Sequence, residues 1–223
     1  MAKNVSKKKP VGIILISVIA ALVLLLALLR CFHIIVRVGG SYKLCFSTEY
    51  RVDGDMEVND DSISEINYLR NLKHFSAFYT GLTNIDFASD LTKLESLSVM
   101  GDPDVPESII KSMPSLEKLS DLDYLYLYYV DVQNLDFLSN CTGLENITVV
   151  THGTEITDLS GLDNKPKLKY VYLDNVDCTD YSVLLRLPAL EYLVIDESKL
   201  PDEVKNELLN KNVKIKERGS ADR

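Results

Sequence analysis

The sequence predicts an α/β solenoid behind one N-terminal transmembrane helix. About six units stack in it, each a short strand with a helical or irregular return. Three observations carry that expectation: an uncharged apolar run over Val11–Leu29, an apolar pattern that recurs in phase six times, and a basic head on an acidic body.

The apolar run reads VGIILISVIAALVLLLALL. As a helix it would be about 28 Å long, close to the thickness of a bilayer's hydrocarbon core. It is longer than the apolar part of a cleaved leader, and no small-x-small site follows; Arg30-Cys31-Phe32-His33 does. The reading is an uncleaved signal anchor over residues 11–29. Residues 1–39 hold six Lys or Arg and no Asp or Glu, while the rest of the chain holds 18 basic and 33 acidic residues. Four lysines (Lys3, Lys7, Lys8, Lys9) precede the run, and Arg30 and Arg37 follow it. The basic bias therefore predicts a cytoplasmic N-terminus at residues 1–10 and an exported body. An acidic body lacks the Lys/Arg footprint that phosphate backbones require, so nucleic acid is excluded as a partner.

The repeat follows L-x-x-φ-x-φ, where φ is apolar. Leu72-Phe75-Ala77, Leu94-Leu97-Val99, Leu122-Leu125-Leu127, Leu144-Ile147-Val149, Leu168-Val171-Leu173 and Leu190-Leu193-Ile195 fit it, with leading leucines 22, 28, 22, 24 and 22 residues apart. A second apolar set returns the chain: Leu82, Ile85, Phe87 and Leu91 recur as Val132, Leu135, Phe137 and Cys141. In φ-x-φ the side chains alternate, so two enter the core and those between face out. One unit cannot bury its own face, so the units must stack.

This pattern resembles the leucine-rich repeat (LRR) family, in the short 22-residue form of bacterial internalins and phosphatase-regulator repeats. The resemblance covers residues 50–217 and implies a parallel sheet on the concave side, partner binding through that sheet, and a bacterial surface protein. The family usually places Asn three residues after the second strand φ. Thr80, Asp102, Val130, His152, Val176 and Ser198 stand there instead, which predicts irregular turns. The 28-residue unit carries an insertion, Gly101 to Met113, expected as a loop with one short helix entered after Pro106.

The expected layout is a juxtamembrane stalk at 30–48, an N-terminal cap at 49–71, repeats at 72–199, a C-terminal cap at 200–217 and a tail at 218–223. In the first cap Met56-Glu57-Val58 reads as an imperfect strand. In the second, Leu200-Pro201-Asp202-Glu203 opens a helix with the stripe Val204, Leu208, Leu209, and Val213-Lys214-Ile215 reads as an edge strand.

Outward strand positions form three columns. They run His74, Ser96, Tyr124, Asn146, Tyr170, Tyr192; then Ser76, Ser98, Tyr126, Thr148, Tyr172, Val194; then Phe78, Met100, Tyr128, Val150, Asp174, Asp196. Six of the twelve tyrosines fall here. Aromatic side chains with a polar tip desolvate cheaply and still hydrogen-bond, so Tyr124, Tyr126, Tyr128, Tyr170, Tyr172, Tyr192, Met100, Phe78 and His74 are the expected binding residues. Tyr79 and Tyr129 lie beyond the alternation and are weaker candidates. Tyrosine also favours strands for purely structural reasons.

No catalytic or metal motif appears: His33, His74 and His152 lack a second ligand at motif spacing, and no G-x-S-x-G, P-loop or Cys-His signature occurs. The expectation is a binding protein without cofactor or enzymatic activity, taking a protein, peptide or glycan partner. Cys141 and Cys178 occupy repeat positions held by apolar residues elsewhere and read as unpaired core residues. Two other readings stay open: an envelope scaffold or membrane-complex subunit using its convex or insertion side, and a cytosol-facing LRR regulator of an enzyme.

Overall fold

The computed structural model describes residues 11–55 and 57–217. The basic residues Lys3 to Lys9, Met56 of the expected cap strand, and the tail 218–223 lie outside the described residues.

Helix α1 (Val11–Cys31, 21 residues) opens the chain. Its side chains are described from Leu15 on, and those from Leu15 to Leu28 are exposed. Among the described residues no helix is long and apolar enough to cross a membrane. The expected span is therefore not established by the fold. After it, β1 (Ile35–Val38) and β2 (Ser41–Leu44) form an antiparallel hairpin. The segment expected as a stalk is thus an ordered hairpin, and Val36 and Val38 join the main core.

Eight parallel strands follow in one sheet, in strict chain order. They are β3 (Glu49–Asp53), β4 (His74–Phe78), β5 (Ser96–Met100), β6 (Tyr124–Val130), β7 (Asn146–Thr151), β8 (Tyr170–Leu173), β9 (Tyr192–Val194) and β10 (Lys214–Lys216). Chain order and parallel pairing together mean that each strand lies beside the strand of the next unit. The two φ positions of each repeat point inward: Phe75, Leu97, Leu125, Ile147, Val171 and Leu193 are all buried, as are their partners two residues on.

The returns are short and share one device. Single 3-10 turns at Asp86–Asp90, Asp136–Leu138 and Ser160–Leu162, and α2 (Ser182–Leu185), close successive units. Two residues before each of these begins, an Asn or Asp side chain accepts a backbone N–H. Asn84 takes Asp86 N at 3.1 Å, Asn134 takes Asp136 N at 3.1 Å, Asp158 takes Ser160 N at 2.8 Å and Asp180 takes Ser182 N at 2.7 Å. A short Asx turn thus satisfies one orphan donor at each entry. The side chains three residues after the second φ do a different job from the usual amide. Thr80, Val130 and Val176 are buried there.

Three units turn left-handed at the same position after the strand: Tyr79, Tyr129 and Asn175 adopt φ of +52°, +56° and +59°, unusual for the two aromatic residues. At Tyr129 the pairing of β6 with β7 shifts register. In the insertion, Pro106–Ser108 forms a 3-10 turn. Buried Ser108 holds it: its Oγ accepts Asp102 N at 3.0 Å and donates to Val105 O at 2.9 Å.

At the C-terminal end α3 (Asp202–Asn210) and β10 cover the last repeat. Leu208 is fully buried, whereas Leu209, expected beside it, is exposed. At the front the first sheet strand is β3, and Val58 packs as a buried residue outside any strand. Cys141 is fully buried and Cys178 half-buried, and all four cysteines are free. Burial pushes the Cys141 thiol up to about 11, although the nearby Lys165 charge opposes it.

Candidate binding face

Equal strand registers turn the sequence columns into spatial rows. His74, Ser96, Tyr124, Asn146, Tyr170 and Tyr192 pair successively across β4 to β9. Ser76, Ser98, Tyr126, Thr148, Tyr172 and Val194 form the middle row in the same way. Phe78, Met100, Tyr128 and Val150 pair in the third. The nine expected residues therefore lie on one face of one sheet. Three row members are buried: Ser98, Val150 and Val194.

Tyr126 sits at the centre. Its ring stacks on Tyr128 at 5.7 Å and meets Phe78 edge-on at 6.0 Å. Tyr128 meets Tyr129 at 4.7 Å, and Tyr129 meets His152 at 5.9 Å. A second pair, Tyr170 and Tyr192, stands 6.4 Å apart. Edge-to-face and offset stacking of this kind fixes ring positions in advance of any ligand. Burial pushes the Tyr126 phenol up to about 12, and the phenols of Tyr128, Tyr124, Tyr79 and Tyr172 push the same way. Tyr126 is therefore a neutral hydroxyl at any physiological pH, able to donate or accept.

Tyr79 and Tyr129 belong to this cluster, contrary to their lower rank in the sequence. Alternation assigns them no side, because it assumes extended backbone. Both have left-handed backbone, yet the Tyr129 ring meets Tyr128 and Tyr79 is close enough to act on the Tyr126 phenol. A repeat of Phe-Tyr at 78–79 and Tyr-Tyr at 128–129, one pair 50 residues after the other, is the signal that could have found them.

Charge is kept to the margins. The middle of the face, from Ser76 to Tyr172, carries none, while Glu49, Arg51 and Asp53 on β3 and Lys214 and Lys216 on β10 bound it. Lys214 Nζ lies 4.7 Å from the Tyr192 ring centre and donates to its hydroxyl at 2.9 Å. Between neighbouring units, Lys73 pairs with Glu95 at 2.5 Å and Lys169 with Glu145 at 2.7 Å. These exposed pairs contribute little stability each. Between the insertion and the segment that follows β6, an open groove of about 600 Å³ is lined by Lys111, Met113, Gln133, Asn134 and Phe137. Among the described residues no three His, Cys, Asp or Glu side chains are placed to hold a metal ion.

The sequence matches no described family and no curated protein. Solved structures do match. An internalin of Listeria monocytogenes aligns over 70% of this chain and 46% of its own length, at 22% identity and a TM-score of 0.54. Internalin C2 of the same organism aligns over 70% of this chain and 75% of its own, at 21% identity and a TM-score of 0.52. An LRR protein of Leptospira interrogans aligns over 69% of this chain and 39% of its own, at 19% identity and a TM-score of 0.57. The fold is that of a leucine-rich-repeat solenoid with a parallel sheet. This chain spans less than half the length of the first and third of these proteins.

Proposed function

We propose that this chain is a membrane-anchored, extracytoplasmic binding module that docks a protein or peptide on the tyrosine-bearing face of its sheet. The observation that carries this reading is the preorganised, uncharged aromatic cluster around Tyr126, set in the open face of an otherwise acidic domain. Rigid Tyr side chains supply contact area at low entropic cost, and charge-poor centres with polar rims are how interfaces are built. A glycan is the other ligand that stacked phenols suit. The anchor is residues 11–29, supported by the uncharged apolar sequence and by the exposed apolar side chains from Leu15 to Leu28. The internalin-like fold is consistent with a bacterial surface setting.

A photo-reactive side chain placed at Tyr126 or Tyr172 in cells should trap the same discrete adduct, and one placed at Glu117 should trap none. Adducts centred on Pro103–Lys111 instead would move the contact to the insertion and its groove, as a scaffold or complex subunit would have it. Location is read separately. A tag after Arg223 should be removed by protease added to intact cells; protection until the membrane is opened would favour a cytosolic regulator.

A further inference from the structure

We propose that the outer face of the β1–β2 hairpin is an interfacial docking surface for an anionic bilayer, holding the repeat domain at a fixed attitude to the membrane. The inference rests on the anchor reading above. The hairpin's register defines two faces. Val36 and Val38, with Lys43 and Ser41 opposite them, lie on one; Ile35 and Arg37, with Leu44 and Tyr42 opposite them, lie on the other. The valines are buried against the cap. The other face is apolar yet open: Tyr42 is 67% exposed and Leu44 42%, and Phe46, two residues on, is 59% exposed. Between the hairpin and the end of α1, Phe32 is also exposed, at 73%. A small acidic domain gains no solubility from such a patch, and large contiguous apolar patches mark contact sites.

Charge selects the occupant. On the open face Arg37 stands opposite Tyr42, Arg30 lies beside the Tyr42 ring, and residues 30–48 hold no acidic side chain, in a chain of net charge -9. Aromatic and basic side chains together, beside an apolar helix end, suit the headgroup layer, where rings sit at the interface and cations meet anionic lipid. Continuity with α1 places the patch at that depth.

The connection is rigid, so burial of the patch would orient the whole domain. The two terminal guanidinium nitrogens of Arg30 donate to the Glu65 carboxylate, Nη1 at 2.6 Å, and Arg37 N–H donates to the same carboxylate at 2.8 Å. Partial burial pushes the Glu65 carboxyl up, but the hydrogen bonds from Arg37 and Arg30 and the charges of Arg30 and His33 outweigh it and hold it low. His33 stacks on Tyr68 at 3.6 Å, and Arg30 lies 5.9 Å from the Tyr42 ring. The helix end, hairpin and first cap are thus clamped at several points.

The chain has no Trp, so one substitution gives a unique reporter. The full-length Phe46→Trp protein would be reconstituted in phosphatidylcholine–phosphatidylglycerol vesicles, with Tyr124→Trp on the open sheet face as control. Lipids brominated along the acyl chain should quench the hairpin indole of the Phe46→Trp protein strongly and report a depth about 5–10 Å into the headgroup and acyl boundary. The control should answer only to aqueous acrylamide. Quenching of the hairpin indole by acrylamide alone, in protein that floats with the vesicles, would overturn the docking while leaving the anchor intact. Shielding from both quenchers would also overturn it, in favour of a second copy on this face. Failure to float would remove the anchor and the docking together.

Discussion

Gly161→Ala should destabilise the repeat domain by about 3 kcal/mol, lowering Tm by roughly 6–12 °C. Gly161 is buried in the turn Ser160–Leu162, which packs on the preceding unit. A Cβ there would fall onto the carbonyl carbon and oxygen of Leu135, with Asp136 N only 3.0 Å away. All three are backbone atoms, so no side chain can swing aside, and the two units must part. Since each unit is stabilised by its neighbours, a local separation exposes core on both sides of the break. Gly143→Ala should act in the same direction, its Cβ lying 2.5 Å from Ser120 O. Gly40→Ala is the control: its φ is +77° but nothing lies near its Cβ, so only the left-handed cost of about 1 kcal/mol applies. Thermal unfolding followed by circular dichroism checks all three.

Replacing Tyr126 and Tyr172 together by Ser should weaken partner binding at least about thirtyfold, with little change in Tm. Both lie in the middle row of the face, separated only by Thr148 on β7. Tyr126 holds the ring contacts with Phe78 and Tyr128, so its loss removes a hydroxyl, its own area and the positioning of its neighbours. The inward residues on either side, Leu125, Leu127, Val171 and Leu173, keep the strands in place. Isothermal titration against the cross-linked partner reads the change. An unaltered affinity would take the face out of the binding account.

Much of this architecture is legible in the residues because a parallel solenoid repeats one geometry. The alternation of Phe75 and Ala77, or Leu125 and Leu127, names the core. The unit spacing then aligns the residues between them, so Tyr124, Tyr126 and Tyr128 fall beside their neighbours from sequence alone. Features that break the pattern are not legible. Strand β3 escapes it because Ser47 stands where its leading leucine would be, leaving only Tyr50 and Val52 to mark it. The hairpin escapes because its exposed apolar residues lack a repeat partner, and only pairing of Arg37 with Tyr42 separates its two faces. Tyr79 and Tyr129 rank low in sequence because positive φ cannot be read from aromatic residues. The Gly161 approach depends on the distance between units, which no local pattern encodes.

Hydroxyl-radical footprinting of the full-length protein, with and without the captured partner, tests the binding face most directly, because Tyr and Met side chains report their own exposure. Binding on the aromatic face predicts protection of Tyr126, Tyr128, Tyr172 and Met100, and unchanged oxidation of Met113 in the groove beside the insertion. Protection of Met113 with the tyrosines unchanged would contradict it and place the partner on the insertion side.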